Sequence, residues 1–95
     1  MGPYLHDEKK SGEHVNLDHV KEYRMLGHNI RFYRNQRELT QEALGAAIGT
    51  DKQQIGRIER AETGVTLDRI FDIAKALGLK DIRVLFDFRA MLDDE

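Results

Sequence analysis

The sequence predicts an all-α fold, and three observations support that prediction. Apolar residues recur at intervals of three and four along much of the chain, as they do on the buried face of an amphipathic helix. Aromatic residues make up only 7% of the chain and tryptophan is absent, which favours helices built on aliphatic residues over a β-sandwich. Glycines follow the apolar stretches at positions suited to helix stops. The 95 residues can bury one modest core, so we expect one small domain.

The composition excludes several classes of protein. Because cysteine is absent, disulfide scaffolds, thiolate zinc sites and cysteine nucleophiles are ruled out. We expect a cytoplasmic protein with no membrane partner, since the sequence shows neither a signal peptide nor a stretch apolar enough to cross a bilayer. The net charge of −2 is unlike that of a general polyanion binder. Any nucleic-acid site must therefore gather its positive charge locally, and residues 25–65, with six basic and five acidic residues, are the least acidic part of the chain.

The chain is expected to begin with an extension that leads into a first helix. Residues 1–24 are assigned to a flexible or partly helical extension, because the first fifteen mix glycine, proline, serine and charges without periodicity. Asn16 is a candidate N-cap for a helical stripe of apolar residues. Gly27 interrupts that stripe before Ile30 resumes it, which fits either one bent helix or two pieces.

Two short helices joined by a tight turn follow. Thr40 can cap a helix that starts near Gln41, and Gly49 suits a left-handed helix stop. Thr50 and Asp51 then supply capping groups for a second helix of about ten residues. The turn between the two helices is only about three residues long, as in a helix-turn-helix unit.

The remaining sequence predicts two more helices. Thr66 can cap the clearest amphipathic helix of the chain, which Gly78 closes. In residues 80–91 the apolar side chains fit either helical spacing or the alternation of a strand. We expect a helix there, because every earlier element is helical.

The helix pair and its flanks resemble a known family. Residues 41–60, QEALGAAIGTDKQQIGRIER, resemble the helix-turn-helix of the Xre family, which is also called the phage repressor and Cro family. Residues 26–34 resemble the first helix of that family, and residues 66–78 resemble its fourth. The resemblance therefore extends well beyond the helix-turn-helix unit.

The resemblance implies a five-helix, phage-repressor-like domain over residues 25–90, with the extension before it and a short acidic end at 91–95. It also implies sequence-specific binding of double-stranded DNA by a dimeric transcriptional regulator, and we expect a repressor. The helix at about 51–60 would lie in the major groove.

Residue by residue, the resemblance implies base contacts from Lys52, Gln53 and Arg57. Glutamine can bond adenine N6 and N7, and arginine or lysine can bond guanine O6 and N7. Four further positions are candidate contacts to the DNA backbone: Gln41, Thr50, Gln54 and Arg60.

Other positions concern the architecture of the domain. Arg34 and Glu59 match an ion pair that the family often buries between its first and third helices. Gly45 stands where the family packs a small residue, more often alanine. Ala61 stands where the family frequently has glycine, so the following turn is expected to differ or the helix to run on. Gly56 is expected to loosen the recognition helix.

The apolar residues near the end of the chain are candidates for both core and dimer interface. They are Ile82, Leu85, Phe86, Phe88, Met91 and Leu92. A two-fold dimer would place two recognition helices about 34 Å apart, so the operator would be an inverted repeat.

The sequence supports no enzyme, no cofactor and no metal site. It contains no serine-histidine-acid order, P-loop or dinucleotide turn, and its four histidines lack ligand spacing. The competing hypothesis is a protein-interaction module, such as an antitoxin or adaptor that binds a partner protein. That hypothesis would be favoured if truncating a terminus abolished activity while changing Lys52 and Arg57 had no effect.

Overall fold

The computed structural model describes residues 15–89, and all regular elements in that range are helical. The four α-helices are α1 (Val20–Gln36), α2 (Gln41–Ala47), α3 (Lys52–Glu59) and α4 (Leu67–Ala76). Two short 3-10 helices flank them, over Leu17–His19 and Ile82–Phe86. The prediction of an all-α fold is confirmed for these residues. None of the helices described is long and apolar enough to cross a membrane.

Residues 15–89 contain four of the five predicted α-helices. Where the fifth was expected, over residues 80–91, the described part of the chain forms the 3-10 helix Ile82–Phe86, and Arg89 is again helical. The side-chain amide of Asn29 in α1 donates to the carbonyl oxygens of Leu85 at 3.0 Å and Asp87 at 3.1 Å. The Asn29 amide thus holds the end of this segment against α1.

The predicted start and stop signals are confirmed in detail. The side chains of Thr40, Asp51 and Thr66 each accept a hydrogen bond from the backbone N–H three residues further on, at 2.9 to 3.1 Å. Gly49 and Gly78 have φ angles of +77° and +67°, the left-handed conformation that glycine adopts without steric penalty. Local capping chemistry therefore fixes the bounds of α2, α3 and α4.

The first helix is uninterrupted through Gly27. It begins at Val20 and runs for 17 residues, so it crosses the predicted boundary between residues 24 and 25. Residues 1–14 of the predicted extension lie outside the described residues. A Cβ atom built on Gly27 would lie 2.5 Å from the carbonyl oxygen of Glu59 and 2.6 Å from that of Ile58. Glycine is required here because the backbones of α1 and α3 approach so closely.

The core is formed by aliphatic side chains from all four α-helices and the C-terminal 3-10 helix. Its largest fully buried members are Ile30, Leu44, Ile55, Ile70, Ile73, Leu77 and Leu85. Leu85 had been a candidate for the dimer interface, but its side chain has no exposed surface left for a partner. Its neighbour Phe86 is 42% exposed, and Ile82 and Phe88 are half-buried. The candidates Met91 and Leu92 lie outside the described residues.

The turn after α3 contains Ala61 in a left-handed conformation, with a φ angle of +58°. Helix α3 ends at Glu59, and the Glu62 N–H donates to the carbonyl oxygen of Arg57 at 2.8 Å. The helix therefore does not run on. Alanine adopts the backbone geometry that glycine normally takes at such a helix end.

A second left-handed residue, Glu38, closes α1 and gives a testable prediction. Its φ angle is +56°, its side chain is exposed, and its N–H donates to the Asn35 carbonyl at 3.0 Å. We expect Glu38→Gly to raise the free energy of unfolding by about 1 kcal/mol, because glycine has no Cβ to strain this conformation. Urea denaturation measures the change, with Glu38→Ala as the control that removes the carboxylate but keeps the Cβ. A glycine variant no more stable than the alanine variant would contradict the prediction.

Candidate nucleic-acid interface

The outer face of α3 carries polar residues, and its inner face is packed into the core. Successive residues of an α-helix are about 100° apart, so the outer residues fall within an arc of about 140°. They are Lys52, Gln53, Gly56, Arg57 and Arg60. Ile55 and Ile58 lie on the inner side and Glu59 lies at the edge beside Lys52, and all three are buried. Because the inner face is fixed, the side chains of Lys52, Gln53 and Arg57 are directed into solvent.

Helix α2 holds the start of α3 by direct backbone contact. A Cβ atom built on Gly45 would lie 2.8 Å from the carbonyl carbon of Asp51, closer than real Cβ contacts come. The Thr50 N–H also donates to the Gly45 carbonyl oxygen at 2.8 Å. The glycine that replaces the family's usual alanine thus accommodates an unusually close approach between the two helices.

A cleft of about 350 Å³ lies where the outer face of α3 meets the start of α2. It is lined by Gln41, Lys52, Gln53, Gly56, Arg57 and Arg60. Three of these side chains are cationic, two are amides and none is a carboxylate. The lining of this cleft therefore carries a positive charge that the overall composition lacks, and it would attract an anion such as a phosphate.

The other two candidate residues lie beside the cleft and do not line it. Thr50 and Gln54 are both half-buried at the start of α3. The backbone N–H of Gln54 is bonded to the Asp51 carboxylate at 2.9 Å. Within residues 15–89, no group of three or more His, Cys, Asp or Glu side chains converges to hold a metal ion.

Gln41 is tied to a buried ion pair. Its side-chain amide donates to Glu59 Oε1 at 3.0 Å. Glu59 also accepts from Arg34, with Nε–Oε2 at 2.6 Å and Nη2–Oε1 at 3.1 Å. Arg34 Nη1 donates to the Leu39 carbonyl at 2.8 Å, and the two charged side chains are only 10% and 3% exposed. This network joins α1, the start of α2 and the end of α3 into one unit.

Arg60 differs from the other two cations of the cleft because it is already paired. Its Nε donates to Glu62 Oε2 at 2.8 Å and its Nη2 donates to Oε1 at 3.2 Å. The Arg60 guanidinium lowers the pKa of the Glu62 carboxyl, and Glu62 raises the pKa of Arg60. Among the described residues, neither Lys52 nor Arg57 forms a salt bridge. Sequence reasoning missed Glu62, although its position two residues after Arg60 was available as a signal.

Comparison with known proteins supports a single family. A helix-turn-helix family model, HTH_3, matches residues 30–85. Over 54 residues the chain is 43% identical to the control protein C.SmaI of Serratia marcescens, a match that covers 57% of this chain and 64% of that protein. It is 39% identical over 54 residues to an uncharacterized transcriptional regulator in the ATPase CF(0) region of Rhodospirillum rubrum, covering 57% of this chain and 50% of that protein. The matches thus span less than two thirds of either relative.

A solved structure agrees with the sequence comparisons. The restriction-modification controller protein C.AhdI from Aeromonas hydrophila superposes with a TM-score of 0.68 at 33% sequence identity. The match covers 73% of this chain and 99% of that chain. The helical arrangement that positions the cleft is therefore the one found in C.AhdI.

Proposed function

The chain belongs to the Cro/C1-type helix-turn-helix family, and from that premise we propose that it binds double-stranded DNA as a dimeric transcriptional repressor. Helix α3 enters the major groove. The observation that carries the proposal is the outer face of α3, where Lys52, Gln53 and Arg57 are exposed in a cleft without a carboxylate. The opposite face of α3 is packed in the core, so the domain can present these side chains to DNA without rearrangement.

The residues of the cleft divide into two roles. Lys52, Gln53 and Arg57 read base edges, because amide and cationic side chains match the hydrogen-bonding groups of adenine and guanine in the major groove. The other candidates contact the DNA backbone and set the position of α3. They are Gln41, Thr50, Gln54 and Arg60. For Gln41, the bond to Glu59 orients the amide, and its second N–H is available for a phosphate oxygen.

The proposed dimer uses the C-terminal segment. Ile82, Phe86 and Phe88 provide apolar surface there, and the Phe86 and Phe88 rings contact each other with centroids 6.1 Å apart. Met91 and Leu92 follow in sequence and complete the proposed interface. A two-fold axis at this segment would place two α3 helices one DNA turn apart, so the operator is an inverted repeat.

Similarity to C.SmaI and C.AhdI indicates which operators to examine first. The former is named a control protein and the latter a restriction-modification controller protein. We therefore propose that the DNA bound by this chain lies upstream of restriction-modification genes, where a regulator of this type would act.

The test is a selection of binding sites from a randomised duplex pool at about 150 mM salt. The parent protein is expected to recover an inverted repeat, and the Lys52→Ala/Arg57→Ala variant is expected to recover none. The matched control is Lys75→Ala/Lys80→Ala, which removes two exposed positive charges away from α3. It is expected to recover the same repeat as the parent. If the parent enriches no sequence, the proposal fails and a protein partner becomes the target of the search.

A further inference from the structure

The end of the Arg60 side chain lies over Gly56 on the outer face of α3. Side chains at the end of a helix extend back over the preceding turn, and Gly56 is the residue four positions earlier. A Cβ atom built on Gly56 would lie 2.8 Å from Arg60 Nη1, with Cζ and Nη2 both at 3.5 Å. Gly56 is buried although it belongs to the outer face. The guanidinium therefore occupies the place that any larger residue would fill.

Glu62 holds the same guanidinium from its other edge. The carboxylate takes one N–H from Nε and one from Nη2, at 2.8 and 3.2 Å. A guanidinium has five N–H groups, so the two on Nη1 remain unused by Glu62. Nη1 is the nitrogen that lies over Gly56, and both Gly56 and Arg60 line the cleft. The two Nη1 donors are thus held at the edge of the proposed DNA-binding site.

We propose that Gly56 and Glu62 are positioning residues, which hold the Arg60 guanidinium across α3 so that Nη1 contacts one phosphate of the bound DNA. The inference deepens the proposed function and rests on it. An arginine side chain normally loses much rotamer freedom when it binds a phosphate. With the guanidinium already seated on a glycine and bonded to a carboxylate, part of that loss has occurred before DNA arrives. The seat also favours the phosphate nearest Nη1, because reaching another would require Arg60 to break its bonds to Glu62.

The alternative is that Arg60 and Glu62 form an ordinary surface ion pair that does not position the guanidinium for DNA. The side chains of Arg60 and Glu62 are 58% and 51% exposed, and exposed ion pairs are often weak. In that case a substitution at position 56 would change the affinity for DNA by the same factor whether or not Arg60 is present. The two interpretations therefore differ in whether the effects of substitutions at 56 and 60 are coupled.

The first test measures affinity for the selected inverted repeat as a function of salt. Arg60→Ala is expected to weaken binding about fivefold at 150 mM salt and to reduce the slope of log K against log salt by about 0.9, the effect of one lost phosphate contact. Gly56→Ala is expected to weaken binding in the same direction, because its methyl displaces Nη1. The double variant Gly56→Ala/Arg60→Ala should bind no more weakly than Arg60→Ala alone. Additive losses, or an Arg60→Ala variant with unchanged affinity and slope, would overturn the inference.

A second pair of variants tests Glu62 separately. Glu62→Gln removes a negative charge near the DNA, so it is expected to tighten binding in the Arg60→Ala background. With Arg60 present the gain should be smaller, because the guanidinium loses half of its support. Equal gains in both backgrounds would show that Glu62 acts through charge alone and would overturn its positioning role. If the parent protein bound no duplex, the proposed function itself would fall, whereas loss of coupling in a DNA-binding parent removes only this inference.

Discussion

Glu59→Ala is expected to lower the free energy of unfolding by about 3–5 kcal/mol, the range measured when one partner of a buried ion pair is removed. The Arg34 guanidinium would keep only its bond to the Leu39 carbonyl, at 2.8 Å, in a site where its side chain is 10% exposed. The Gln41 amide would also lose its acceptor. Since small domains are stable by only about 5–15 kcal/mol, this change alone would leave a large unfolded population on mild warming.

Urea denaturation followed by circular dichroism measures the effect. Glu42→Ala is the matched control, because it removes a carboxylate from an exposed position on α2. It is expected to change stability by less than about 0.5 kcal/mol. The double variant Arg34→Met/Glu59→Leu should regain part of the loss, since it removes both charges together. A Glu59→Ala variant as stable as Glu42→Ala would show that the Arg34–Glu59 ion pair does not stabilise the fold.

Gly27→Ala is expected to destabilise the domain by about 3 kcal/mol, at the upper end of the usual range for overpacked sites. The added methyl would meet the carbonyl oxygens of Glu59 and Ile58 at 2.5 and 2.6 Å. Both oxygens belong to the backbone at the end of α3, so relief requires α1 and α3 to separate. The gain in helix propensity, about 1 kcal/mol, is too small to offset this.

The same substitution at Gly56 is the control for Gly27→Ala. Both glycines lie inside α-helices and both are buried, but the first atom met at Gly56 is the flexible end of the Arg60 side chain. We expect Gly56→Ala to be at least as stable as the parent in urea. If Gly27→Ala and Gly56→Ala unfolded at the same urea concentration, α1 and α3 would be able to move apart easily, contrary to the expectation.

Signals that act within a few residues were readable from the sequence. Thr40 and Thr66 accept the predicted capping bonds, and Gly49 and Gly78 take the predicted left-handed conformation. Each of these features depends only on the residue and its immediate neighbours, so the bounds of the helices could be predicted from the sequence. The motif over residues 41–60 then indicated the family that the comparisons support.

Features that depend on distant parts of the chain were not readable. Asn29 holds the C-terminal segment against α1 by bonding carbonyl oxygens 56 and 58 residues away, and no spacing rule reveals that contact. Leu85 and Phe86 are adjacent apolar residues, yet one is in the core and the other is exposed, because the packing of the segment against α1 and α4 decides which side faces inward. In the site, the sequence does not reveal that the space beside Gly56 is filled by the end of the Arg60 side chain.

Helix α3 is held at both ends by close backbone contacts. Gly45 of α2 contacts Asp51 at the start of α3, and Gly27 of α1 contacts Glu59 at its end. The residues proposed to read DNA take no part in either contact. We therefore expect single substitutions of Lys52, Gln53 and Arg57 to change the free energy of unfolding by less than about 0.5 kcal/mol. The side chains offered to DNA and the contacts that hold α3 can then be varied independently of each other.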